Sequence, residues 1–169
     1  MPLSRLNALD AEEARSEFSR CCGSSRWARA MASRRPFADE EALYRAAVEI
    51  ERGLSREDWL EAFRHHPRIG DKEALRRQFA STRAWASGEQ AGAAAAAAET
   101  LDALFLANKD YETRFGHLFI ICATGKSAGE MLEQLRLRLA NARDDELRVA
   151  AGEQSKITRL RLEKLLKNF

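Results

Sequence analysis

Helix signals follow one another along nearly the whole chain, and they leave little room for any fold that is not all-α. Apolar residues recur at intervals of three and four, the spacing that places them on one face of a helix. Residues that favour helix N-termini precede these segments, each with an acid or amide three positions later. The pairs are Asp10 with Glu13, Ser55 with Asp58, Ser87 with Gln90, and Ser127 with Glu130. We therefore predict a single-domain helical bundle over residues 1–169.

The patterns also give approximate bounds. Helices are predicted over residues 10–23, 26–33, 39–53, 55–66, 71–79, 87–116, 127–139 and 144–165, with a polar loop over 80–88. Gly23 and Gly116 are expected to end the first and the sixth of these helices. The apolar run 119–123 could form one buried strand, but no second strand signal accompanies it. We expect an extended connector or the start of a helix there. In the last helix, Ile157, Leu160 and Leu165 mark the predicted apolar side.

One predicted helix stops abruptly near His66. Pro67 disfavours the α conformation in the residue before it, so His66 should leave the helix in an extended or turn geometry. Because the pKa of histidine lies near neutral pH, an imidazole on such a corner can act as an acid, a base or a metal ligand. It could equally serve only to cap the last helical carbonyls. This stretch alone does not decide between the two.

Composition excludes several classes of function. The chain has 28 Lys and Arg against 26 Asp and Glu, a net charge of +2, without the basic stripe of a nucleic-acid-binding protein. No apolar run approaches a membrane span, and no signal-peptide core is present, so we expect a cytoplasmic protein without membrane partners. Three histidines and three cysteines offer no metal-ligand set. The thiols are expected to be reduced packing residues.

Two other catalytic patterns fail. Residues 124–127, Thr-Gly-Lys-Ser, resemble the end of a phosphate-binding loop, but Ile120 stands where its first glycine is required. No Gly-x-Ser-x-Gly motif occurs, and Cys122 lies in an apolar run where burial would raise its pKa. We therefore do not expect nucleophilic catalysis.

Three charged residues remain open to two interpretations. Glu89 falls in the first turn of a predicted helix, where the macrodipole favours an acid whatever the function. Arg159 and Arg161 are two residues apart and so point in different directions, which allows one to face solvent while the other reaches inward. For each of the three, an ordinary surface charge is a sufficient explanation when it is considered alone.

Five short motifs nevertheless occur in order along almost the whole chain. They are Leu6-Asn7; Phe63-x-x-His66-Pro67; Glu89-Gln90-Ala91-Gly92; Asn108-x-x-Tyr111-x-x-x-Phe115-Gly116-x-x-Phe119-Ile120; and Leu139-x-Asn141 with Lys156-Ile157-x-x-Leu160-Arg161-Leu162. Each motif is weak by itself. Together they resemble those of the 2-oxo-4-hydroxy-4-carboxy-5-ureidoimidazoline (OHCU) decarboxylases.

The resemblance implies an all-helical bundle of that family's type that needs no cofactor, commonly forms a homodimer, and carries out the last step from urate to (S)-allantoin. It implies His66 as the catalytic acid or base and Glu89 as its partner. The implied substrate-binding residues are Pro67, Ser87, Gln90, Arg161 and the backbone of Ile121, Cys122, Ala123, Thr124 and Gly125. Relatives often carry a serine three residues before the glutamate; this chain has Ala86 there, and Ser87 is the nearest serine.

The implied chemistry is consistent with a protein that has no cofactor. Loss of carbon dioxide leaves an electron pair that the adjacent C=N of the substrate ring can accept, so no metal or pyridoxal is required. The protein must orient the carboxylate and deliver one proton to one face. Two alternatives stay open at this point. One is a lyase of the same fold acting on a related ureido acid, and the other is a non-catalytic helical module that binds a partner peptide in a groove.

Overall fold

The computed structural model describes residues 2–66 and 90–167, with side chains omitted for residues 90–97. Within these ranges the chain forms eight helices and no strand, which confirms the all-α prediction. The helices are α1 Leu3–Ala8, α2 Ala11–Cys21, α3 Ser25–Ser33, α4 Glu40–Arg52, α5 Arg56–Arg64, α6 Gln90–Phe115, α7 Ala128–Arg138 and α8 Arg143–Lys167. The predicted helix 71–79, the loop 80–88 and the Ser87 cap lie outside the described residues.

Reciprocal caps fix the starts of three helices. The Asp10 carboxylate accepts hydrogen bonds from the first-turn N–H groups of α2, and the Glu13 carboxylate accepts one from the Asp10 N–H. Such a box satisfies backbone donors that the first helical turn leaves without partners. The same boxes form at Ser55 with Asp58 and at Ser127 with Glu130. All three were predicted from the sequence, and each helix begins one residue after its cap.

The described residues form two compact units. The first comprises residues 2–66 together with residues 149–167, and the second comprises residues 90–148. In the first unit, α2, α3 and α4 bury their apolar faces together. Phe18 packs edge-on against Trp27, with ring centroids 6.0 Å apart. The Trp27 indole N–H donates to the Ala47 carbonyl at 3.3 Å, so this large side chain is buried without an unpaired donor.

The first helix is tied to the α3–α4 connection by side chains that bond backbone groups. Asn7 accepts from the Phe37 N–H at 3.0 Å and donates to the Phe37 carbonyl at 2.8 Å. Arg35 donates to the carbonyls of Leu6 and Leu9 at 2.8 and 2.7 Å. The Leu6-Asn7 motif thus has a structural role, since Leu6 is buried and Asn7 is held by its backbone partner.

In the second unit, a buried connector joins α6 to α7. Gly116 ends α6 with a φ of +76°, a conformation that glycine adopts without strain, as its position in the sequence predicted. Residues 119–122 are then buried without regular secondary structure. The prediction of a connector is correct, and neither a strand nor the start of a helix forms there.

A buried ion pair holds this connector. The Arg138 Nη2 lies 2.5 Å from Glu146 Oε1, and its Nη1 donates to the Ile120 carbonyl at 2.8 Å. Glu146 is fully buried, and it also accepts hydrogen bonds from the Tyr111 hydroxyl and the Asn141 amide. The motif residues Tyr111 and Asn141 therefore converge on one carboxylate. This carboxylate orients the arginine that fixes the connector backbone.

The apolar residues predicted for the inner side of the last helix are only partly buried. Leu165 packs against the core of the first unit, and Ile157 and Leu160 are also of intermediate exposure. In the first unit the buried side chains of α8 are, at four-residue spacing, Ala150, Gln154, Thr158 and Leu162. Two of these are polar and could not be recognised as core positions by hydropathy. Their burial is possible because they bond to each other and to neighbouring side chains.

Gly23 has a different role from the predicted one. We expected it to close the first helix, but α2 ends at Cys21, and Cys22 is already extended. Gly23 instead lies against the residue that follows α5, because a Cβ atom placed on it would be 2.5 Å from the Cβ of His65. Only glycine allows the α2–α3 connection to pass this close to the end of α5.

A matched pair of glycine substitutions tests this contact. Gly23→Ala should lower the free energy of unfolding by about 1–3 kcal/mol, as expected when atoms are forced into a filled site. Gly152→Ala is the control, since an added Cβ meets nothing within 4 Å at this exposed position inside α8. It should stabilise by about 0.4–1 kcal/mol. Denaturant unfolding of both variants measures these changes. Equal unfolding midpoints for Gly23→Ala and Gly152→Ala would contradict the close approach.

A second matched pair tests the buried ion pair. Arg138→Met leaves Glu146 buried without its cation and should cost about 3–5 kcal/mol of unfolding free energy. Arg136→Met removes an exposed arginine from the same helix and should change stability little. Thermal or denaturant unfolding compares them. Similar small losses in both variants would show that Glu146 does not depend on Arg138.

Candidate active site

His66 lies just beyond α5, at the corner that Pro67 predicted. The helix ends at Arg64, and the His66 N–H closes a turn onto the Phe63 carbonyl at 3.1 Å. The imidazole is half-buried, whereas the neighbouring His65 side chain is exposed. The two adjacent histidines therefore occupy different environments, and only His66 is directed towards the interior of the first unit.

A chain of buried hydrogen bonds begins at His66. Its Nε2 lies 2.5 Å from Oε1 of Gln154, which is fully buried. The Gln154 amide nitrogen donates to the Thr158 hydroxyl at 3.2 Å. The Thr158 side chain in turn acts on the Cys22 thiol, whose pKa it lowers. The imidazole is thus the outer end of a polar chain that runs into the core.

Burial lowers the pKa of His66 below its ordinary value. The positive charges of Arg161 and His65 lower this pKa further, while the hydrogen bond to Gln154 raises it. The neutral imidazole is therefore favoured down to a lower pH than in a free histidine. A neutral imidazole has one nitrogen that donates and one that accepts, as a group that takes up and returns a proton requires.

Arg161 lies in the same part of the first unit. It is partly buried, and its Nη1 donates to the Cys21 carbonyl at 3.4 Å. Arg159 is exposed, bonds to Glu163 at 2.9 Å and stacks over the Tyr44 ring at 3.4 Å. The two arginines point in different directions, as predicted, and Arg161 is the one whose charge acts on His66.

The three cysteines are packing residues, as the sequence predicted. Cys21, Cys22 and Cys122 are all buried, and none of them forms a disulfide. Burial raises the pKa of Cys21 to about 12 and that of Cys22 to about 11. Both thiols are therefore protonated at neutral pH, which makes them poor nucleophiles.

The remaining predicted site residues are placed as follows. Ile121, Cys122, Ala123, Thr124 and Gly125 belong to the connector of the second unit, where Lys126 donates from Nζ to the Cys122 carbonyl at 3.0 Å. Gln90 begins α6, and its side chain is outside the described atoms. Pro67, Ser87 and Glu89 lie outside the described residues. Among the predicted side chains that the structure describes, His66 and Arg161 are the two that lie near each other in the first unit.

In residues 2–66 and 90–167, no three His, Cys, Asp or Glu side chains are grouped so that they could hold a metal ion. Nor does any helix of the same ranges combine the length and the apolar character needed to cross a membrane.

Sequence reasoning missed Gln154 and Thr158. Both are polar and lie between predicted surface charges, so hydropathy assigned them to the exterior. A signal was present, because they continue the four-residue spacing of Ala150 and form a line with Leu162. Without knowledge of which face meets the end of α5, that spacing could not be distinguished from others on the same helix.

Comparison with known proteins identifies the family. Residues 7–163 match the family model described as OHCU decarboxylase. The chain is 39% identical over 149 residues to the uric acid degradation bifunctional protein TTL of Arabidopsis thaliana, and the alignment covers 88% of this chain and 46% of that protein. It is 31% identical over 173 residues to the putative OHCU decarboxylase of Homo sapiens, and this alignment covers 99% of this chain and 96% of the human protein.

Comparison with solved structures supports the same family. A crystal structure of an OHCU decarboxylase in the presence of (S)-allantoin matches with a TM-score of 0.69 at 38% identity, covering 89% of this chain and 96% of that one. This chain therefore spans less than half of the bifunctional plant protein but nearly the whole of the human relative and of the solved decarboxylase. By the family model and by these likenesses, the chain belongs to the OHCU decarboxylase family.

Proposed function

We propose that this chain decarboxylates OHCU to (S)-allantoin, the final step in the oxidation of urate, and that it is therefore a carboxy-lyase of purine catabolism. The observation that carries the proposal is the family match over residues 7–163. Its site chemistry is supported by a half-buried imidazole just beyond the end of α5, bonded to Gln154 and with an arginine nearby. The same proposal includes a homodimer, a cytoplasmic location and residues 1–169 acting as one domain.

The reaction breaks one carbon–carbon bond and forms one carbon–hydrogen bond. The electron pair of the bond to the carboxylate moves towards the adjacent C=N of the ring as carbon dioxide leaves. A proton then reaches a ring carbon from one face, which sets the S configuration. Holding the substrate in the right orientation contributes entropically, and a positioned acid adds about 10²–10⁴-fold. No metal or other cofactor takes part in this proposal.

Each proposed residue has a part in these steps. His66 delivers or removes the proton. Glu89 accepts a hydrogen bond from a substrate hydroxyl or ring N–H. The Arg161 guanidinium suits a carboxylate, because its planar fork can donate two parallel hydrogen bonds. The other proposed contacts to substrate are Pro67, Ser87, Gln90 and the backbone of residues 121–125.

Product chirality tests the proposal. The protein is incubated with freshly generated OHCU, and the circular dichroism of the allantoin formed is followed over time. Decay in buffer has no chiral influence and must give a racemate, whereas the enzyme should give accumulating (S)-allantoin. A racemic product at the buffer rate would overturn the proposal and favour a helical binding module. If the protein consumed only a related ureido acid, the alternative of a lyase of the same fold with a different substrate would be favoured.

Single substitutions of His65 and His66 should distinguish the catalytic histidine from its neighbour. His66→Asn should lower turnover by about 10²–10⁴-fold, the contribution of a positioned acid or base. His65→Asn is the control and should keep near-normal turnover, since His65 is exposed. Far-ultraviolet circular dichroism verifies that both variants fold. Equal damage from the two changes would mean that the wrong histidine has been assigned.

Glu89 is tested by its combination with His66. Glu89→Gln keeps the shape and removes the charge, so turnover should fall. In the double variant with His66→Asn the two losses should not add, because residues that act as a unit fail together. Full additivity would indicate that the two residues act in independent steps.

The two arginines of α8 provide another matched pair. Arg161→Ala should lower kcat/KM roughly 10- to 100-fold, the loss expected for a hydrogen bond to a charged group. Arg159→Ala should leave kcat/KM nearly unchanged, because Arg159 is exposed and paired with Glu163. Steady-state kinetics at one pH compares them. Equally small effects would make Arg161 a simple surface charge.

A further inference from the structure

We propose that Gln154 is a positioning residue for His66. Its side-chain carbonyl holds the imidazole so that Nε2 carries a proton and Nδ1 is the nitrogen that exchanges a proton with substrate. The part of this inference that concerns substrate rests on the proposed function. The part that concerns the imidazole itself depends only on the hydrogen bonds of the first unit.

The imidazole of His66 meets Gln154 through the carbonyl oxygen of the amide. His66 Nε2 lies 2.5 Å from Gln154 Oε1. A carbonyl oxygen accepts hydrogen bonds and cannot donate one, so Nε2 must be the protonated nitrogen. In the neutral imidazole, Nδ1 then carries the lone pair.

The Gln154 amide nitrogen points away from the imidazole and donates to the Thr158 hydroxyl at 3.2 Å. The reversed amide would place an N–H group against the imidazole, which only the neutral ring could accept. The observed orientation serves both the neutral ring and the imidazolium, because both donate through Nε2.

The Gln154 side chain has little freedom to move. It is fully buried in α8, and among the described residues no buried side-chain nitrogen or oxygen lacks a hydrogen-bond partner. Turning this side chain away from both His66 and Thr158 would leave buried polar groups unpaired, at a cost of about 1–3 kcal/mol for each group. The close approach of Gly23 to His65 restrains the backbone next to His66. The imidazole is thereby held in one orientation before substrate binds.

The arrangement has a consequence for proton transfer. A proton that arrives at or leaves Nδ1 changes the charge of the ring but does not break the bond between Nε2 and Gln154. The imidazole can therefore change protonation state without moving. Such preorganisation matters because displacement of a reacting group by about 1 Å can cost 10²-fold in rate.

The resting protein provides the first test, which needs no substrate. Nitrogen-15 spectra of histidine-labelled protein, recorded above the pKa of His66, should show Nε2 protonated and Nδ1 free, with a downfield proton on Nε2. The Nδ1-protonated tautomer in the wild type would overturn the inference. This outcome is independent of activity, so its failure can be distinguished from failure of the proposed decarboxylase reaction.

Kinetics of Gln154→Leu provide the second test. The leucine has a similar size but no acceptor, so kcat should fall by about 10²-fold with little change in KM, and the downfield Nε2 proton should disappear. Gln134→Leu on α7 is the control, because Gln134 is exposed, and it should match the wild type. Unchanged kcat and an unchanged Nε2 proton in Gln154→Leu would contradict the positioning role.

Gln154→Glu distinguishes positioning from mere packing. Glutamate keeps an acceptor for Nε2 and adds a negative charge, which favours the imidazolium and raises the pKa of His66. The other groups that act on this imidazole are Arg161 from α8 and His65 from the end of α5, and neither is altered. The variant should therefore retain more kcat than Gln154→Leu, and the limb of its pH–rate profile that reports His66 should move to higher pH. A profile identical to that of Gln154→Leu would overturn the inference.

Discussion

The close approach of the Gly23 backbone to His65 is the constraint on which the arrangement around His66 depends. Because Gly23 carries no side chain, the chain after α2 can pass directly against His65 at the end of α5. His65 occupies that contact and remains exposed to solvent, while the next residue turns inward. The corner therefore selects one of two adjacent histidines. The selected imidazole meets Gln154, so a packing contact between backbone and side chain becomes a condition for the chemistry.

Buried polar side chains perform the same task in each unit, which is to fix a segment that has no regular secondary structure. In the second unit, Glu146 orients Arg138, and Arg138 bonds the backbone of the connector after α6. In the first unit, Gln154 bonds the imidazole that follows α5. A buried ion pair is weak support for stability, since desolvation offsets much of the attraction. Its value here is geometric, because it specifies where a loop carbonyl lies.

The sequence was sufficient for features that are local. The capping boxes, the end of α6 at Gly116 and the corner before Pro67 are set by a few neighbouring residues, and all could be predicted. Features that depend on which faces meet could not. Gln154 was not recognised, because a buried amide is identified only by its distant partner, 88 positions away in the chain. The role of Gly23 was mistaken for the same reason, since the atom that excludes a side chain belongs to another helix.

The family match supports the proposed decarboxylation, and the described geometry adds how one acid–base group is prepared for it. A crystal structure of this protein with (S)-allantoin bound tests that account most directly. The product should lie within hydrogen-bond distance of His66 Nδ1, at about 2.6–3.2 Å or through one water, while Nε2 remains on Gln154. A product that contacts Nε2, with Gln154 turned away, or one that lies far from His66, would contradict it.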